Sequence, residues 1–135
     1  MNNKLLIGFM IMAAVGLAGC QTSGGSGKQS NSKALTNAEL TKLYSVTQTV
    51  AWTNLENSAS GDLISNPNGT VSTDWGTGSS KGTWRIVDNT LWTTWTTGSF
   101  RGAGVEECVT LHKMKEGTYK LLLPNGSWKY TNTFK

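Results

Sequence analysis

The sequence predicts a mainly β domain: a short N-terminal helix followed by an eight-stranded antiparallel meander that closes into a small barrel or stacks as a two-sheet sandwich. Three observations predict it. Beyond residue 45 the chain is dominated by Thr, Val and Trp in period-two alternation. Turn signals recur at short spacing, as in Asn66-Pro67-Asn68-Gly69, Gly76-Thr77-Gly78, Asp88-Asn89, Glu116-Gly117 and Pro124-Asn125-Gly126. Just upstream, Thr36-Asn37-Ala38-Glu39 has the spacing of a capping box.

The helix comes first. Thr36 can accept from the amide of Glu39 while Glu39 reaches back to the Thr36 amide, and Leu35 and Leu40 fall where a hydrophobic staple forms. A helix from Asn37 to about Tyr44 follows, with Leu43 extending its apolar face. Strands are then expected near 46–53, 59–65, 70–75, 81–87, 90–96, 105–112, 118–123 and 127–134.

Alternation assigns faces to those strands. Val46, Val50 and Trp52 share one side of the first; Trp84 and Ile86 oppose Thr83 and Arg85; Leu91 and Trp95 oppose Trp92; Val105, Val109 and Leu111 oppose Cys108, Thr110 and His112. One apolar and one wet face indicate antiparallel pairing. Closure into a barrel is favoured because it removes exposed edges, with the sandwich as alternative.

The N-terminus reads MNNKLLIGFMIMAAVGLAGC. Lys4 supplies a positive start, Leu5 to Leu17 carry no charge, and small residues lead to Cys20, the layout of a secretory signal over residues 1–19. Leu17-Ala18-Gly19-Cys20 resembles the lipobox of bacterial lipoproteins. That resemblance implies diacylglyceryl transfer to the Cys20 thiol, cleavage before it, and acylation of the new terminus by a fatty acid such as palmitate. Each buried CH2 contributes about 0.8 kcal/mol, so several chains hold firmly where one holds weakly. Gln21 in the sorting position implies the outer membrane, facing the periplasm or outward. Residues 20–34 then form the lipidated cysteine and a Gly/Ser/Gln/Asn/Lys tether, whose stretch Gln21 to Lys33 is expected to reach about 20 Å. Residues 35–135 remain, enough for a single domain with one modest core.

Loss of Lys4 with the signal lowers the formal charge from +4 to +3. Lys113, Lys115 and Lys120 are the densest basic group, read as a solvated turn or a contact for anionic lipid or polymer. Export and the lack of a basic groove signature argue against nucleic acid. With Cys20 consumed by the anchor, Cys108 is expected to have no partner in the mature chain and to be a buried small hydrophobe or a reactive thiol. His112 is the only histidine, placed roughly 13 Å along the strand from Cys108, too far for a nucleophile–base pair, and is expected at the surface.

No catalytic residue, metal site or cofactor is expected. Glu39 is committed to a cap, Asp88 to a turn, and adjacent Glu106 and Glu107 point to opposite faces. The ligand sets of zinc are missing. Gly76, Gly78 and Gly82 lead into a strand rather than the helix a phosphate loop requires. Of the six tryptophans, at least four are expected in the core. Trp92, alone on a threonine face, is the candidate for exposure, and with Phe100 and Arg101 of the 97–104 loop would form a small recognition patch. The alternative has Trp92 packing beneath that loop.

The run LTNAEL, GTVSTDWG, KGTWRI, NTLWTTW, EECVTLH and GTYKLLLPNGS resembles, over about residues 35 to 128, small exported bacterial proteins of the domain of unknown function 995 family. The counterparts of its motifs are Asn68-Gly69, Gly82-Thr83-Trp84, Leu91-Trp92 and Cys108. The family pattern implies a disulfide, but Trp92 stands where its first cysteine would be, which implies a buried Cys108 without that bond. Some members are associated with envelope or exopolysaccharide processes. The meander is also similar to lipocalin-like barrels, which implies a ligand cavity.

The function expected from all this is a membrane-anchored, non-catalytic envelope module that binds another envelope protein or a polysaccharide. A carrier of a small lipid or other hydrophobic ligand, and an inhibitor of a cell-wall hydrolase acting through the 97–104 loop, are the alternatives.

Overall fold

The structure, a computed structural model, describes residues 32–97 and 104–135. The signal segment, Cys20, the tether as far as residue 31, Phe100 and Arg101 lie outside the described residues. The elements are α1 (Asn37–Leu43), β1 (Gln48–Asn54), β2 (Ser60–Ser65), β3 (Thr70–Asp74), β4 (Ser79–Val87), β5 (Thr90–Thr97), β6 (Glu106–Lys115), β7 (Thr118–Leu122) and β8 (Trp128–Phe134).

Each strand pairs antiparallel with the next, and β1 pairs with β8, so the meander is a closed eight-stranded barrel and not a sandwich. The closing register sets Val50 against Phe134, Trp52 against Asn132 and Asn54 against Tyr130. Closure leaves no sheet edge to solvent over the paired lengths. The period-two faces come out within the strands, where Val50, Trp52, Leu91, Val109, Leu111 and Leu121 are buried on the inside, whereas Val46, expected on the same face as Val50, precedes β1 and is exposed.

Local chemistry sets the turns. Asp88 and Asn89 both adopt positive φ, 51° and 59°, the conformation that lets a two-residue hairpin match the twist of its strands. At Gly82 the ladder between β4 and β5 shifts register, and a Cβ there would collide with the Thr94 carbonyl, so the close approach of the two strands requires glycine.

The helix closes one end of the barrel. Its capping box is complete: Glu39 N–H donates to Thr36 Oγ1 at 3.3 Å, and Thr36 N–H donates to Glu39 Oε2 at 2.8 Å. Asn37 and Asn89 exchange backbone N–H to side-chain carbonyl bonds of 2.6 and 2.5 Å, which ties the helix start to the β4–β5 turn. Leu40 and Tyr44 then enter the core with Trp52, Leu91, Val109 and Leu111. Tyr44 packs its ring 5.1 Å from Trp84 and 6.0 Å from Phe134, the latter edge to face.

The segment before the helix is also fixed. β5 begins at Thr90 and its register with β6 starts at Leu91↔Val109, so β6 beyond Val109 lacks a β5 partner. Ala34 bridges His112 there, and Leu35 N–H donates to Leu111 O at 2.8 Å. Among the described residues, contact with the domain is already made at Ser32, before the boundary expected at residue 35.

His112 is a correction to the sequence reading. It is 9% exposed rather than a surface group. The Ser32 carbonyl can only accept, so His112 Nδ1, 2.7 Å away, carries the proton, while Nε2 lies 3.1 Å from Thr110 Oγ1. The outer face of β6 is covered at this point by the incoming chain, which single-strand alternation does not foresee.

Leu40, fully buried, is the helix's main anchor. Leu40→Ala should cost roughly 2–5 kcal/mol in urea unfolding, the usual range for truncating a fully packed leucine. A loss below about 1 kcal/mol would show that the helix is not part of the cooperative core.

Candidate functional site

The inward positions of the eight strands do not fill the barrel. Between the Tyr44 ring and the end remote from α1 lies a cavity of about 80 Å³. Its aromatic wall is made by Tyr44, Trp52, Trp84, Trp95 and Tyr130. Its polar wall comes from small residues, Ser65, Thr73 and Thr93, with Asn132 and, among the described residues, one charged group, Glu107.

Hydrogen bonds hold the indoles in place. Trp52 Nε1–H donates to Thr73 Oγ1 at 2.8 Å, and the Thr73 hydroxyl donates on to Asp62 O at 2.9 Å. Trp84 Nε1–H donates to Asn66 O at 3.0 Å. With their N–H groups so engaged, Trp52 and Trp84 offer the cavity hydrocarbon and ring faces. Trp52 and Tyr130 meet edge to face with centroids 6.4 Å apart. Burial, reinforced by Tyr119, pushes the Tyr44 phenol above its ordinary value, so this end of the cavity is uncharged at neutral pH.

Glu107 points inward because it shares the parity of Val109 and Leu111, opposite to Glu106. The Tyr130 hydroxyl donates to Glu107 Oε2 at 3.5 Å, a long bond. Trp95, near Glu107 on the adjoining strand, joins its backbone to the start of β6 through bonds to Val105 and Gly104. Both residues lie on the half of the barrel away from α1. Sequence reasoning placed Glu107 on the correct face without drawing the consequence. A carboxylate in register with core valine and leucine was the signal.

Of the patch expected around Trp92, Phe100 and Arg101, only Trp92 is among the described residues. Trp92 is on the outer face, as expected, but half-buried, with its indole N–H buried and lacking a hydrogen-bond acceptor. The Arg85 guanidinium lies 4.6 Å from its ring centroid. Arg85 Nη1 also donates to Glu106 Oε2 at 2.8 Å, and Thr94 Oγ1 donates to the same oxygen at 3.1 Å. Arg85 thus covers one face of the ring, and Trp92 is half-buried, between the exposed and the packed alternatives. Phe100 and Arg101 lie outside the described residues.

Trp52, Trp75, Trp84 and Trp95 are in or against the interior, as a small core demands, whereas Trp128 is 42% exposed. Lys120 Nζ sits 5.6 Å from the Trp128 ring. Cys108 stands directly across from Trp92 in the β5–β6 register and is 3% exposed. It is disulfide-bonded, so the expectation that it lacks a partner is corrected while its burial is upheld. The only other cysteine in the sequence is Cys20, outside the described residues.

Among the described residues no three His, Cys, Asp or Glu side chains come together as a metal site. Nor is any described helix long and apolar enough to cross a membrane. No family model, curated protein or solved structure matches the chain. The resemblance to the domain of unknown function 995 family therefore rests on the quoted motifs alone.

The Arg85 hydrogen bond, assisted by Thr94, holds the Glu106 carboxyl below its ordinary value. A carboxyl depressed in the folded state stabilises above its unfolded pKa, and that contribution fades as pH falls through the folded value. In an NMR titration Glu106 should protonate later than a reference glutamate on acidification, and Arg85→Gln should bring it back up. An unchanged Glu106 titration in that variant would refute the pairing.

Proposed function

We propose that the protein is a lipid-anchored, non-catalytic module of the bacterial cell envelope whose barrel binds a small, largely apolar ligand. The aromatic cavity carries this reading. Ligand sites are concave and mostly apolar with a few placed polar groups, and Glu107, Thr93 and Asn132 supply those groups here.

The neutral alcohol 3,3-dimethylbutan-1-ol tests the cavity directly. Added to the full chain, it should shift the indole N–H resonances of Trp52 and Trp84 in a saturable way, and Val109→Phe, which fills the space from β6, should abolish the shift. Saturable binding that survives Val109→Phe, or no binding to the wild type, removes the cavity reading.

Anchoring rests on the lipobox-like stretch ending at Cys20. The intact mass of the mature chain reads whether the Cys20 thiol carries lipid. Palmitate labelling with acyl mass on the mature chain is expected, lost in Cys20→Ser together with membrane association. A lipid-free mature protein would overturn the anchor and the outer-membrane placement that depends on it.

Contact with an envelope protein or polysaccharide is the second reading. The observation favouring it is Trp128, exposed beside Lys120 and able to stack on a flat apolar surface.

A further inference from the structure

We propose that the barrel end closed by α1 rests on the phospholipid surface that holds the anchor, with Val46, Val87 and Met114 at the bilayer interface and Lys42, Lys113 and Lys115 among the headgroups. This rests on the lipid-anchor reading above and adds to it which end of the domain faces the membrane.

The direction of the incoming chain selects that end. Ala34 pairs antiparallel with His112, and Leu35 N–H donates to Leu111 O. Followed back from Leu35, the chain therefore runs beside β6 toward Lys115 and the tip of the β6–β7 hairpin. At Ser32 it is still in contact with His112. Lys115 is about 10 Å along the strand from His112, whereas Glu106, at the start of β6, is about 20 Å the other way. Residues 21–31 separate Ser32 from Cys20, a stretch that spans at most about 40 Å. Lipid on Cys20 thus keeps the hairpin tip near the bilayer, where a contact too weak to form between free partners is sufficient.

The groups at this end fit an interface. The turns and strand ends around α1 are tied into one rim: Asn37 bonds Asn89, the Gln48 side-chain amide donates to Leu43 O, and Phe134 N–H donates to Gly117 O. Val46, Val87 and Met114 are exposed on that rim. Lys113 and Lys115 flank Met114, and Lys42 stands in the last turn of α1, shortly before Val46. A lysine lays its apolar stem along a hydrophobic surface and keeps its ammonium in the polar layer. Glu39, Asp88 and Glu116 lie at the same end, Glu116 paired with Lys113 at 2.7 Å and Glu39 engaged in the helix cap. With the charges so mixed, apolar contact and the tether hold this end down rather than long-range attraction. The cavity lies on the other side of Tyr44 from α1, so this orientation turns it toward the aqueous compartment, and its ligand arrives from water.

The test places the full chain, purified with its acyl group, in nanodiscs of phosphatidylethanolamine and phosphatidylglycerol, with a gadolinium chelate on some headgroups. Paramagnetic relaxation of the Met114, Val46 and Val87 methyls should be about fivefold stronger than that of the Leu55 methyls, which lie on the β1–β2 turn at the opposite end. Val46→Asp combined with Met114→Asp should bring the Val87 to Leu55 ratio close to one while the protein stays on the disc. Equal relaxation at both ends, or stronger relaxation at Leu55, overturns the docking and leaves the anchor standing. A ratio unmoved by the double substitution refutes the apolar contact. A chain without acyl mass that does not associate with the discs removes the anchor reading, and the docking with it.

Discussion

The hydrogen bonding of β1 to β8 is the constraint from which the rest follows. A flat meander would leave two edge strands and one wet face. Once β8 is laid against β1, every strand has two neighbours and the alternating residues are divided strictly between an inside and an outside. With eight strands the inside is just wide enough for side chains to meet across it. What happens in the middle then depends on how large those inward residues are, and what happens at the two ends depends on what covers them.

At one end the answer is a seven-residue helix, far too short to be stable alone. Its stability comes from outside itself. The capping box satisfies amides at its start, the Asn37–Asn89 pair fastens it to a hairpin turn, and Leu40 and Tyr44 are buried among rings from β4 and β8. The same end explains the fate of the chain before the helix. β6 outruns β5, and its orphaned ladder positions are taken by Ala34 and Leu35, which in turn covers His112. An unpaired buried backbone group is costly, so a stretch of polar chain is enlisted to pair it.

These facts also show what was legible in the sequence and why. The helix was legible because Thr36 and Glu39 have a local spacing with one meaning, and the strands because the chain puts turn chemistry between short alternating runs. Such signals are carried by neighbours in sequence. The exposure of His112 and Trp92 was misjudged because it depends on residues far away in sequence: Ser32 lies against His112, and Arg85 from the adjacent strand lies across Trp92. The disulfide of Cys108 likewise depends on a partner that no neighbouring residue signals. Barrel against sandwich was open for the same reason, since only the β1–β8 pairing, between the first and last strands, decides it. The cavity was implied only by the likeness to lipocalin-like barrels, because alternation says which side chains point inward and nothing about whether they meet.

That last point bears on what the barrel is for. A barrel selected for stability alone would fill its interior with branched aliphatic residues, each adding roughly 1.5–3 kcal/mol on burial. Here Ser65, Thr73 and Thr93 occupy inward positions opposite large rings, and Glu107 takes a position in register with Val109 and Leu111. Thr73 is explained by the hydrogen bonds it makes to Trp52 and Asp62. Glu107 turns its carboxylate into the same enclosure, where the Tyr130 hydroxyl donates to it. Small polar residues that leave space, rings fixed by their N–H bonds, and one inward acid are departures from good packing that share a single location. Departures of this kind concentrated in one place are what support the proposed ligand-binding reading.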